Sequence, residues 1–147
     1  MVIKRIQGEK ISGTNALWLT STGRVDFADN TSDYVTILVT HMEEDDLLNL
    51  KVGQIFSRGE KICREGQSGN VTGNNLHISA GKGIIARNGW IMNSLGAWVL
   101  ITTNGTYKPE ELFYIDGSFT TVKNSGGLPF RFLPRASAGT LPSEGFN

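Results

Sequence analysis

Metal and acid–base chemistry near neutral pH depends on very few side chains in this 147-residue sequence: two histidines, His41 and His77, and one cysteine, Cys63. The stretch that stands out is Gly-Asn-Asn-Leu-His-Ile-Ser, residues 73–79. A His-x-His pair on a strand would set two imidazoles on one face, because side chains two apart point the same way. Here those two positions hold Asn75 and His77. An Asn amide neither takes up nor releases a proton near neutral pH, so Asn75 can bind ligand or solvent but cannot do a histidine's acid–base work. A structural zinc site usually takes four Cys or His ligands and a catalytic one about three protein ligands. A zinc site in this chain would therefore have to recruit carboxylates and use nearly every soft ligand available. Cys63, in Glu-Lys-Ile-Cys-Arg-Glu-Gly, cannot form an internal disulfide and reads as a small buried strand residue rather than a reactive thiol. The acidic run Glu43, Glu44, Asp45, Asp46 lacks the interleaved glycine and turn residues of a calcium loop.

The elements that must position these residues are short strands. Residues 15–21, Asn-Ala-Leu-Trp-Leu-Thr-Ser, alternate Ala16, Trp18 and Thr20 with Leu17 and Leu19. Residues 23–41 read as a hairpin: a strand near Arg24–Ala28, a turn at Asp29-Asn30 and a longer strand near Tyr34–His41. The segment 43–50 is the one helix candidate, about two turns long; its acids open the helix, where the macrodipole favours negative charge, and Leu47, Leu48 and Leu50 would dock it. Glycines 53, 59, 66, 69 and 73 then punctuate strands expected at Ile55–Ser57, Lys61–Glu65 and Leu76–Ala80. Further strands are expected at Trp98–Thr102, Leu112–Ile115 and Thr120–Val122. The fold class is all-β, mostly antiparallel sheet, with at most one short helix.

Composition excludes several classes. Fourteen basic residues balance fourteen acidic ones, which removes the electrostatic case for nucleic acid or an anionic membrane as partner. No apolar run reaches the roughly 18 residues of a membrane span, and the opening Met-Val-Ile-Lys-Arg-Ile lacks the apolar core of a signal peptide. All four prolines (Pro109, Pro129, Pro134 and Pro142) fall near the C-terminal end. The division that follows is a β domain over 1–133 and a tail over 134–147, either disordered or an arm that packs on a neighbouring subunit.

Residues 52–80, Val-Gly-Gln-Ile-Phe-Ser-Arg-Gly-Glu-Lys-Ile-Cys-Arg-Glu-Gly-Gln-Ser-Gly-Asn-Val-Thr-Gly-Asn-Asn-Leu-His-Ile-Ser-Ala, carry a resemblance. The Val-Gly-Gln start, the glycine spacings, the Ser-Gly-x-x-Thr-Gly turn and the Leu-His ending resemble the lysostaphin-like zinc endopeptidases of bacterial cell walls. Val-Thr-His-Met, with His41, is similar to the strand-ending histidine motif upstream. The flanks look like the divergent version found in phage endolysins and tail-associated lysins, so the resemblance covers most of residues 1–125.

That resemblance implies a lysostaphin-like fold in which His77 matches a zinc-binding histidine, His41 a catalytic one, and Asn75 stands in place of the other catalytic histidine. The family's upstream His-x-x-x-Asp zinc motif has no counterpart, since no histidine precedes residue 41. The implied reading is a non-catalytic, degenerate peptidase domain with no cofactor, a phage virion or tail-associated protein located in the particle or released by lysis. Its remnant cleft would be lined by Tyr34, His41, Asn70, Thr72, Asn75 and His77. A homo-oligomer or a place among other virion proteins is expected, since a sheet edge without its family partner strand invites pairing. Two alternatives stand beside it: an endopeptidase fragment whose zinc ligands another chain completes, and a peptidoglycan-binding module.

Overall fold

The computed structural model describes residues 1–109 apart from 58 and 70, together with Leu112. In chain order the elements are β1 (Val2–Gln7), α1 (Glu9–Ser12), β2 (Ala16–Thr20), β3 (Val25–Asp26), β4 (Ser32–Asp33), β5 (Val35–Thr40), α2 (Glu44–Leu48), β6 (His77–Lys82), β7 (Ile85–Met92), β8 (Trp98–Thr102) and β9 (Thr106–Tyr107). The fold is mostly antiparallel β with little helix. The main sheet has the order β1-β2-β5-β6-β9, and the pairs β3–β4 and β7–β8 form two small ribbons.

Every residue of β2 and β5 is buried, because both faces of these central strands are covered. The register sets the two cores apart. Leu17 lies opposite Val39 and Leu19 opposite Ile37, so these four point to one side, while Trp18 opposite Leu38 points to the other. The first core gathers Ile3, Leu17, Leu19, Phe27, Ile37, Val39, Met42, Leu47 and Phe56. The second gathers Ala16, Trp18, Leu38 and Leu100, with Ile85 and Trp90 against them. The β-branched run of β5 suits a strand packed on both sides. Buried hydroxyls are matched within it: Thr20 and Thr36 share a 2.8 Å hydrogen bond, and Thr36 donates to the Gly83 carbonyl at 2.8 Å.

The β7–β8 hairpin covers the second core. The Trp18 indole N–H donates to the Gly89 carbonyl at 3.0 Å, and the Trp90 ring meets Trp18 edge-on, 4.9 Å between centroids.

Several sequence expectations need correction. There are two short helices among the described residues rather than at most one. The additional turn, α1, is too brief to show helical periodicity and ends at Gly13 in the left-handed conformation (φ 76°). In α2 Leu47 is buried and Leu50 reaches the first core, but Leu48 is 74% exposed. Residues three apart share a helix face, and Leu48 falls off it. The segments 55–57 and 61–65 do not form strands. Each pairs only briefly, through Val2 with Ile55 and Met42 with Glu65. Half-buried Cys63 is therefore not a strand residue. Burial, with Asp46 adding to it, raises its pKa, which keeps the thiol protonated.

The open edge expected at the N-terminus is β1, but its first residues are capped. Ile3 donates to the Gln54 carbonyl at 2.9 Å, Gly53 to Ile3 at 2.8 Å and Phe56 to Met1 at 2.8 Å. The strands expected at Leu112–Ile115 and Thr120–Val122, the boundary at 133 and the tail over 134–147 lie outside the described residues, apart from Leu112. Among the described residues no helix is long and apolar enough to cross a membrane.

Candidate functional site

The ends of β5 and β6 bring the two histidines together. Thr40 is the register partner of His77, so His41, the next residue, lies beside it. The ring centroids are 6.5 Å apart and the planes nearly perpendicular (78°). His41 has φ 70°, a left-handed conformation that few residues with a β-carbon adopt. Its backbone N–H is held there by the Asn15 carbonyl at 3.1 Å and Thr14 Oγ1 at 3.3 Å. The turn lets β5 end while Met42 drops into the first core.

A polar network fixes the His41 ring. Its Nδ1 lies 2.6 Å from the Ser68 carbonyl oxygen, which can only accept, so Nδ1 carries the proton. Thr14 Oγ1 stands 3.2 Å from the same Nδ1. Behind this lies Asn15, fully buried. Its Oδ1 accepts from the Glu9 N–H at 2.9 Å, its Nδ2 donates to the Met42 carbonyl at 3.0 Å, and its own N–H donates to Ser68 Oγ at 3.0 Å. Thr14, Asn15 and Ser68 tie the start of β2, the end of β5 and the 66–69 loop into one support.

His77 Nε2 sits 3.1 Å from Ser79 Oγ, its neighbour two positions along the same face of β6. The residue is exposed overall, yet the packing around its imidazole disfavours the charged form and the nearby His41 adds to that, so its pKa is lowered. Asn75 is exposed, and its backbone N–H donates to the Gly66 carbonyl at 2.9 Å. That bond pins the approach to β6 against the loop that holds His41.

The remaining sequence candidates divide. Tyr34 precedes β5 whereas His41 follows it, which puts them about 23 Å apart along the strand. Tyr34 therefore does not line this site; its carbonyl accepts from Gly83 at the far end of the sheet. Thr72 is exposed in the bend between Gly69 and Asn75, and Asn70 lies outside the described residues. The groups that the sequence reading did not single out are Thr14, Asn15 and Ser68. Only Asn15 carried a signal, as an amide set directly before a strongly apolar strand.

At the Asn15–Ser68 support an open cleft of about 230 Å³ is lined by Glu9, Asn15, Met42, Glu43, Glu44, Gln67 and Ser68. Of the acids of α2, Asp46 serves the fold: it holds Arg64 in an ion pair (3.1 Å) and accepts from its backbone N–H at 2.6 Å. Zinc, the metal implied by the resemblance, does not fit the residues present. A catalytic zinc takes about three protein ligands, and the site offers two imidazoles and an amide. Among the described residues, no group of three or more His, Cys, Asp or Glu is arranged to hold a metal. No family model matches the chain, and no curated protein matches it either.

Proposed function

We propose that this chain is a non-catalytic module built on a degenerate lysostaphin-like peptidase scaffold, serving as a structural or tail-associated component of a phage particle. The observation that carries the non-catalytic part is the donor set around His41 and His77. Two imidazoles stand side by side without a third ligand among the described residues, and the position two before His77 holds an amide. A metal-activated water needs the metal first, and an Asn cannot replace the missing acid–base group. The antiparallel sheet and the pairing of Thr40 with His77 are consistent with the scaffold. The phage setting rests on the sequence resemblance alone.

The test is turbidity loss of purified bacterial cell walls, run with the wild type, Asn75→His and His77→Ala, each with zinc and with chelator. All three are expected to leave the walls intact, and the dialysed protein to carry no stoichiometric zinc by elemental analysis. Asn75→His alone should not restore lysis: general acid–base help is worth about 10²–10⁴-fold but has no activated water to act on. Chelator-sensitive lysis by the wild type, abolished by His77→Ala, would replace this reading with that of an endopeptidase.

A further inference from the structure

Strand β1 breaks its alternation once. Val2 pairs with Thr20 and Ile3 with Leu19, but the next paired residue is Arg5, opposite Trp18, so Lys4 is an extra residue in this edge strand. Regular alternation from Ile3, which lies in the first core, would send Lys4 to the Trp18 side and Arg5 back towards that core. The bulge brings both cations to the same side, since two residues of the bulged strand then oppose one of its partner. Arg5 is held there at two points. Its guanidinium lies over the Trp18 ring, 5.2 Å from the centroid, and donates to the Asn88 carbonyl.

The two side chains border an open cleft of about 340 Å³, whose remaining lining is Thr20, Ile84 and Ile85. Thr20 lies at the end of β2 away from His41, because Ala16, at the other end, pairs with Thr40. The cleft is therefore separate from the histidine pair. Its lining divides by chemistry. Lys4 and Arg5 bring an ammonium and a guanidinium, and the ion pairs among the described residues, Arg24–Asp33, Arg64–Asp46 and Lys82–Asp29, include neither. Ile84 and Ile85 bring apolar surface, and Ile84 is 49% exposed. The Thr20 hydroxyl is already bonded to Thr36 at 2.8 Å, so polar recognition falls to the two cations.

We propose that this cleft binds a small carboxylate carrying an aliphatic body, its acid group on Arg5 and Lys4 and its chain against Ile84 and Ile85. A guanidinium presents its N–H donors in a planar fork, and the bond to the Asn88 carbonyl leaves others to meet a carboxylate. Lys4 adds a point charge on a flexible stem. Holding Arg5 over Trp18 removes rotamer freedom before the ligand arrives, which lowers the entropic cost of binding. The isoleucines set a preference for an apolar body over a wholly hydrophilic anion.

The test titrates the full, isotope-labelled chain with hexanoate and follows the backbone amide resonances. Saturable shifts are expected to cluster at Lys4, Arg5, Thr20, Ile84 and Ile85, to weaken with added salt, and to be absent with hexylamine. Acetate and inorganic phosphate should bind at least about tenfold more weakly, the equivalent of about two buried methylene groups. Two variants change exposed side chains and so spare the fold. Lys4→Glu should weaken hexanoate about tenfold or more, and Ile84→Ser should bring hexanoate down towards acetate. Scattered or non-saturating shifts, equal affinity for acetate and hexanoate, or unaltered binding by Lys4→Glu would each overturn the proposal.

Discussion

His77 is where the chemistry of this chain is most measurable. The native surroundings lower its pKa, first through burial of the ring and then through His41, so the folded state prefers the neutral imidazole. The unfolded chain takes up a proton near the ordinary value of about 6.5. The stability that His77 contributes is therefore complete above that pH and is lost as pH falls through its lower folded value. The thermal midpoint of the wild type minus that of His77→Gln should be flat above about pH 6.5 and decline below it; a difference independent of pH would refute the assignment. Asn15 matters more to stability than either histidine. Asn15→Ala strands the buried Met42 carbonyl and the part-buried Glu9 N–H that its amide satisfies. An expected loss of about 2–3 kcal/mol in urea unfolding follows from leaving such groups unpaired.

Among the elements, the 61–66 segment does most to shape the candidate site. It crosses over the end of β5 so closely that a β-carbon on Gly66 would lie 2.7 Å from the Glu43 nitrogen and 2.8 Å from the Met42 carbonyl carbon. Both are backbone atoms, so the crossing itself would have to move. Gly66→Ala is expected to cost about 2 kcal/mol or more, in the range of overpacked sites. Gly73→Ala, with open space around it, is the control and should be close to neutral. Equal midpoints in denaturant for the two variants would show that the crossing is loose. The glycine spacing in the sequence marked this region as a series of bends. That the bends carry a segment across β5, with no continuous ladder of its own, depends on backbone contacts that no local pattern encodes.

At the scale of the whole molecule, one indole joins the main sheet to its covering hairpin. Trp18→Phe keeps most of the ring but removes the N–H that satisfies the Gly89 carbonyl. A loss of about 1–3 kcal/mol is expected, with hydrogen-exchange protection falling across β7 and β8 together. If protection there is unaltered, the hairpin is held by other contacts. The strands that form the centre of the sheet were legible in the sequence, because β2 and β5 are dense in large and β-branched apolar residues whose alternation survives any packing. Trp98–Thr102 was legible for the same reason, and β6 appeared within a few residues of its place. The histidine pair was recognisable by residue type. Its proximity was expected only from the resemblance and not from the residues themselves, since Thr40 and His77 meet through an antiparallel register set 37 positions apart. Nor could the sequence alone exclude Tyr34 from the site: it flanks the same strand as His41, and only the length and direction of β5 send the two to opposite ends. The buried support of Thr14, Asn15 and Ser68 was hidden for a general reason. A polar side chain becomes structural when folding removes its water and supplies partners from distant segments, and those partners exist only once the tertiary structure has formed.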